Sequence, residues 1–262
     1  MPYPIADLPY GLRCRLGELA TRAERYRLQV AAGCKDICPP QLQTIKTVKK
    51  LEIARRNNAM LVQFDLDLEQ PLDNSMLFQC NKTLIFYGLN ENDLMVEVVT
   101  QQSTFLYIYF CNSTPAFIRK VASVTPGNVK KLSIKDDKST ISTPICLTAV
   151  LTAFPNIEVL DLLVILPASW VSDLQSNNTT KLQVLNIRID DVDAIRDMNF
   201  KQFFEKRAEG FKMVLRFHHH SAGLSELKTI LSQYFEPSYD EHTADFELDC
   251  YNDNKYYKLK RF

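Results

Sequence analysis

Ile157-Glu158-Val159-Leu160-Asp161-Leu162 and, 25 residues on, Leu182-Gln183-Val184-Leu185-Asn186-Ile187 spell the same pattern twice. An aliphatic residue is followed by two open positions, then by leucine and a second aliphatic residue one position apart. The alternating part reads as a short strand with one apolar face. Its return at a near-fixed interval predicts stacked units sharing one core. The kernel continues upstream at Val129, Leu132 and Ile134 and at Leu106 with Ile108, and downstream at Leu215 with Phe217 and at Phe246 with Leu248. Central positions 106, 132, 160, 185, 215 and 246 are spaced by 26, 28, 25, 30 and 31 residues.

Between the kernels lie stretches with helical spacing, which parallel strands require as crossovers. They run from Thr114 to Val124, Pro144 to Phe154, Ala168 to Leu174, Asn199 to Ala208 and Leu224 to Phe235. Each shows one apolar face. The spacing and the crossovers predict an α/β fold, a leucine-rich-repeat-like solenoid with parallel strands and outer helices. An ordinary doubly wound sheet is the alternative, and it would carry a glycine-rich phosphate turn after its first strand. The chain has seven glycines, none in a G-x-G arrangement.

Lysine plus arginine equals aspartate plus glutamate at 31 each, so the net charge is zero. Such a balance gives no general attraction to nucleic acid or to an anionic membrane, and protein partners are expected instead. Residues Met1 to Leu12 lack the basic start and apolar run of a secretory signal, and no later run is long enough for a membrane span. The seven cysteines, an odd number, read as reduced thiols in a cytoplasmic or nuclear protein. The N-x-T sequons at Asn81, Asn112, Asn177 and Asn178 then carry no glycan.

Residues 1–58 are built differently. Leu8, Leu12, Leu16 and Leu19 form a stripe following and flanking Pro9; Thr21 caps a second helix from Ala23 to Ala32; Gly33 ends it; and Leu42, Ile45, Val48 and Leu51, spaced by three, predict a third helix after Pro39 and Pro40. These residues carry a resemblance. Leu8-Pro9-Tyr10-Gly11-Leu12 with Leu16 and Leu19, followed by Glu24 and Val30, is similar to the F-box, over about 35 of the 262 residues. Gly11 stands where the family usually has an acid, Ala31 and Ala32 stand where it has Cys and a basic residue, and the single tryptophan is Trp170.

The resemblance implies a three-helix F-box-like segment that docks on the Skp-type linker of a Skp/cullin/F-box ubiquitin ligase through Leu8, Pro9, Leu12, Leu16, Leu19 and Val30. A repeat domain behind it would hold an unknown protein substrate. The alternative from the residues alone is a helical cap that seals the end of the stack, in a stand-alone interaction protein.

Residues 59–110 read as a β-rich bridge of antiparallel hairpins, with Phe64, Leu66 and Leu68 alternating, ahead of the solenoid at 111–262. On the kernels, residues between the core positions face the open side. Tyr107, Tyr109, Asp161, Arg188, Arg216 and His218 are the expected substrate-binding set there. Matching central positions would set His218 beside Asp249. A metal site from His218, His219, His220, His242 and Cys250 is set aside, because adjacent strand residues point oppositely and cannot converge. Cys34 and Cys38 lack a second pair, and no hydrolase or nucleotide motif appears, so a non-catalytic chain without a cofactor is expected.

Overall fold

A computed structural model describes residues 7–32, 43–73, 76–94, 98–100, 104–125, 129–136, 144–176, 181–217, 222–250 and 253–260. Seven α-helices occur among them: α1 (Tyr10–Leu19), α2 (Arg22–Ala32), α3 (Pro115–Val124), α4 (Leu147–Ala153), α5 (Trp170–Ser176), α6 (Phe200–Glu205) and α7 (Ala222–Tyr234). The strands are β1 (Ile45–Arg56), β2 (Ala59–Phe64), β3 (Gln70–Pro71), β4 (Leu77–Tyr87), β5 (Val98–Thr100), β6 (Thr104–Tyr109) and β7 (Val129–Lys135). They continue with β8 (Val159–Leu163), β9 (Val184–Ile189), β10 (Lys212–Phe217), β11 (Phe235–Ser238), β12 (Phe246–Cys250) and β13 (Asp253–Leu259).

All these strands join one open sheet. Its centre runs β1-β4-β6-β7-β8-β9-β10-β12, with every neighbour parallel. Antiparallel strands close the margins, β2 and β3 on one side and β13 and β11 on the other. The fold is therefore mixed α/β with a mostly parallel sheet. Of the antiparallel hairpins expected in 59–110, the structure has β2 pairing with β1 through the left-handed pair Asn57 and Asn58, and β2 pairing with β3. β4 and β6 pair in parallel and extend the central sheet.

Kernel leucines lie side by side. Leu106, Leu132, Leu160 and Leu185 are successive partners, as are Ile108, Ile134, Leu162 and Ile187, and all are at most 1 % exposed. They share a core with Phe117, Ile118 and Val121 of α3, Leu147 and Val150 of α4, Trp170 and Leu174 of α5, Phe200 and Phe203 of α6, and Leu227 and Leu231 of α7. One layer of helices thus covers one face of the sheet. Helix starts follow local chemistry. Thr114 Oγ1 accepts from Phe117 N at 3.1 Å with Pro115 in the first turn, and Asn199 Oδ1 accepts from Gln202 N at 3.0 Å.

Two expected registers change. Leu185 pairs with Met213, not Leu215, and Met213 with Phe246, so β10 alone sits two residues off the expected register. A two-residue shift keeps every side chain on its face, which is why the apolar pattern alone could not detect it. The helix expected to run to Phe235 ends at Tyr234, and Phe235 begins β11.

The third N-terminal helix does not form from Ile45 on, because those residues are β1; Leu42 lies outside the described residues. Spacing by three has another origin here. The ladder with β4 slips between Val48 and Lys50, so Val48 and Leu51 are both buried although strand alternation would oppose them. Asp65, in a left-handed conformation just after β2, holds the irregularity. Its Oδ1 accepts from both Lys49 N and Lys50 N at 2.9 Å. The boundary drawn after Asn58 falls inside the β1–β2 turn, so the helical segment closes before Ile45. Leu66 and Leu68, expected to continue Phe64's strand, are 99 % and 89 % exposed in the loop beyond it.

At this margin Gly88 (φ 67°) approaches the backbone so closely that a Cβ would lie 3.0 Å from Arg55 O. Arg55 reaches on to Asp93, whose side chain is 2 % exposed, with Nε 2.9 Å from Oδ2 and a second bond from the guanidinium to Oδ1. Asp93 Oδ2 also accepts from Asn90 N at 2.9 Å, so this fork fastens the loop after β4 to β1. Burial pushes the Cys111 thiol up to about 12 and raises Cys80 as well, which leaves neither as a nucleophile. Arg55→Ala strands the Asp93 carboxylate in the interior, and we expect a loss of about 3–5 kcal/mol in urea unfolding with an unchanged slope. A loss below about 1 kcal/mol would show that water replaces the guanidinium without cost.

Candidate functional site

The uncovered face of the sheet is the first candidate. Because side chains alternate along each strand, burying the kernel leucines turns the intervening residues outward. Tyr107, Ser133, Asp161, Asn186, Val214 and Glu247 form one row of ladder partners. In a second row, Tyr109 pairs with Lys135, Lys135 with Leu163, Arg188 with Arg216, and Arg216 with Asp249. Of the expected binding residues the structure brings Tyr107, Tyr109, Asp161, Arg188 and Arg216 to this face; His218 lies outside the described residues. Arg216, not His218, is the partner of Asp249, a consequence of the two-residue shift.

An aromatic patch lies at one end. Tyr107 and Tyr109 have ring centroids 5.6 Å apart, and Phe110, itself in a left-handed conformation, lies 5.2 Å from Tyr87 and 6.5 Å from Tyr109. Arg56 covers the Tyr87 ring at 5.1 Å. Burial, then the neighbouring Tyr107, holds the Tyr109 hydroxyl above its ordinary range, opposed by its hydrogen bond with Ser133. Tyr109 therefore stays neutral at any physiological pH.

The middle is polar and incompletely paired. Ser133 Oγ donates to Asp161 Oδ2 at 3.2 Å, but Asp161 Oδ1, Asn186 Oδ1, Arg188 Nε and Arg216 Nε are buried without a hydrogen bond. Arg188 has a side chain only 9 % exposed, yet its ion pair, Nε to Asp190 Oδ1, is 3.8 Å long. Arg216 Nε lies 3.7 Å from Asp249 Oδ2, again beyond hydrogen-bond range. Of the two guanidiniums, Arg188 is the desolvated one, while Arg216 and its partner Asp249 keep about a third of their side chains exposed. Asn186 and Ser133 were legible as open-face residues, but their part in this cluster needed the cross-strand register.

The second candidate is the N-terminal pair of helices. Thr21 caps α2 as expected, in a reciprocal box: Glu24 N to Thr21 Oγ1 is 3.3 Å and Thr21 N to Glu24 Oε2 is 2.9 Å. These bonds hold the Glu24 carboxyl below its usual range. Leu12, Leu16 and Leu19 fall on one stripe of α1 and are 56 %, 36 % and 69 % exposed. Val30 on α2 is exposed too, as is Pro9, the residue before α1, while Leu8 is half-buried. None of these side chains belongs to the sheet's core.

Arg188→Met keeps the side chain's bulk and removes its charge. We expect the unfolding midpoint to stay within about 1 kcal/mol's worth of its native value, since the half-exposed Asp190 is taken over by water when the guanidinium goes. A clear loss of stability in the same urea titration would mark Arg188 as part of the scaffold.

Among the described residues no helix is long and apolar enough to cross a membrane, and no cluster of three metal-ligating side chains occurs. Compared with models of protein families, with curated proteins and with solved structures, the chain matches none.

Proposed function

We propose that this chain is a substrate-recognition adaptor of a Skp/cullin/F-box ubiquitin ligase. The observation that carries the reading is the bare leucine stripe of α1. A leucine removed from water contributes about 1.5–3 kcal/mol, and Leu12, Leu16 and Leu19 are left outside the core at positions i, i+4 and i+7. A cap sealing the stack would have spent them against the first strands. A partner's helices, here the Skp-type linker, complete such a stripe.

The parallel strands with one helical layer support a leucine-rich-repeat-like solenoid behind the helices. Its uncovered face, with the half-buried Tyr107, Tyr109 and Arg216 and the buried Arg188, has the composition of a protein-binding surface. The mechanism is proximity: the chain holds a protein substrate near a conjugating enzyme carried elsewhere in the assembly, and contributes no catalytic residue or cofactor. One observation favours a second reading, a stand-alone interaction protein with no ligase role. β1 takes the residues from Ile45 on that would have built the third helix of an F-box.

Co-expression with a Skp linker separates the two. The native chain is expected to co-elute with the linker, and the double variant Leu12→Glu, Leu16→Glu to elute alone while keeping its unfolding midpoint, because both side chains are exposed already. Absence of a complex with the native chain removes the ligase role and leaves the stand-alone module.

A further inference from the structure

The four buried polar atoms without hydrogen bonds on the open face are neighbours by register. Asp161 and Asn186 are direct partners across β8 and β9, and Arg188 and Arg216 are direct partners across β9 and β10. Asn186 and Arg188 lie two residues apart on one strand and point the same way. Two acceptors thus adjoin two donors, about 4.8 Å apart across strands and about 6.6 Å apart along them.

Buried polar atoms without partners are rare, and their concentration calls for a cause. Internal pairing does not supply the partners. Ser133 holds the other oxygen of Asp161, and the two arginines are 3.8 Å and 3.7 Å from Asp190 and Asp249, too far for hydrogen bonds. A ligand of one sign fails as well, because a cation on Asp161 and Asn186 would face the arginines one step away, and an anion on the arginines would face Asp161. A group presenting both signs at that spacing satisfies all four. Side chains two apart on an extended chain share one side and stand about 6.6–7 Å apart.

Resting on the reading of this face as a protein-recognition surface, we propose that it seats an extended segment of the partner protein bearing one basic and one acidic side chain two residues apart. The basic group donates to Asp161 and Asn186. The acidic group accepts from Arg188 and Arg216.

Fluorescent capped heptapeptides of serine and glycine test this with the full chain. They carry Lys-Ser-Glu, Glu-Ser-Lys, Lys-Ser-Lys, Glu-Ser-Glu or the doubly phosphorylated Ser-Gly-Ser at the centre, and binding is read by anisotropy. One of the two mixed peptides should bind at least ~10-fold tighter than every other, a difference of about 1.4 kcal/mol. Asp161→Asn and Arg188→Met should each erase that advantage without moving the unfolding midpoint downward or the co-elution with the linker. Equal or tighter binding of the acidic or phosphorylated peptide, an advantage that survives both substitutions, or no binding up to millimolar concentration overturns the inference. A chain that meets any of these outcomes yet still co-elutes with the linker loses this ligand class alone. One that prefers the mixed peptide but never meets the linker loses the ligase role alone.

Discussion

Parallel pairing governs this molecule. Two parallel neighbours cannot be joined by a tight turn, so the chain must leave the sheet, cross over and return, and each return needs residues that pack on the way. From β6 to β10 those residues are helical, and they settle on one face because successive strands are added in order along the same direction. The kernel leucines meet the helices there, and the fully buried Trp170 ties the layer together by donating from Nε1 to Ala194 O at 2.9 Å. Among the described residues, no layer of helices covers the opposite face.

That asymmetry leaves the open face free to vary. A residue such as Leu160 is fixed by packing, whereas Asp161 beside it is constrained only by its neighbours in the ladder. Recognition chemistry can vary on such a face at little cost to stability, and unsatisfied groups such as Arg188 can persist on it because the core beneath supplies the stability. The bare stripe of α1 is a different kind of exposure: it is apolar, local to one helix and separate from the sheet's core. The two surfaces together suit a protein that joins one partner to another.

Much of this was legible because period and face are written in the residues. The kernels at 132, 160 and 185, their parallel order, the helices over Pro115, Leu147 and Leu227, the Thr21 cap and the outward set from Tyr107 to Arg216 follow from alternation and helical spacing. What was not legible depended on contacts remote in sequence. The β1 strand was read as helix because the irregularity held by Asp65 gives Val48 and Leu51 a spacing of three. The shift at β10 escaped because moving a strand by two residues changes no face. The cluster of unpaired polar atoms escaped with it, since it exists only when Arg188 stands beside Arg216.

The account turns on the claim that one face of this sheet makes the fold and the other is free to bind. Leu162 and Leu163 are the same residue type, adjacent on β8, and turned to opposite faces, fully buried and half-buried respectively. Changing each singly to alanine and measuring urea unfolding tests the claim without any knowledge of a partner. The account predicts a loss of about 2–5 kcal/mol for Leu162→Ala and under about 1 kcal/mol for Leu163→Ala. Equal losses would mean that both faces are packed, and the free surface would not exist.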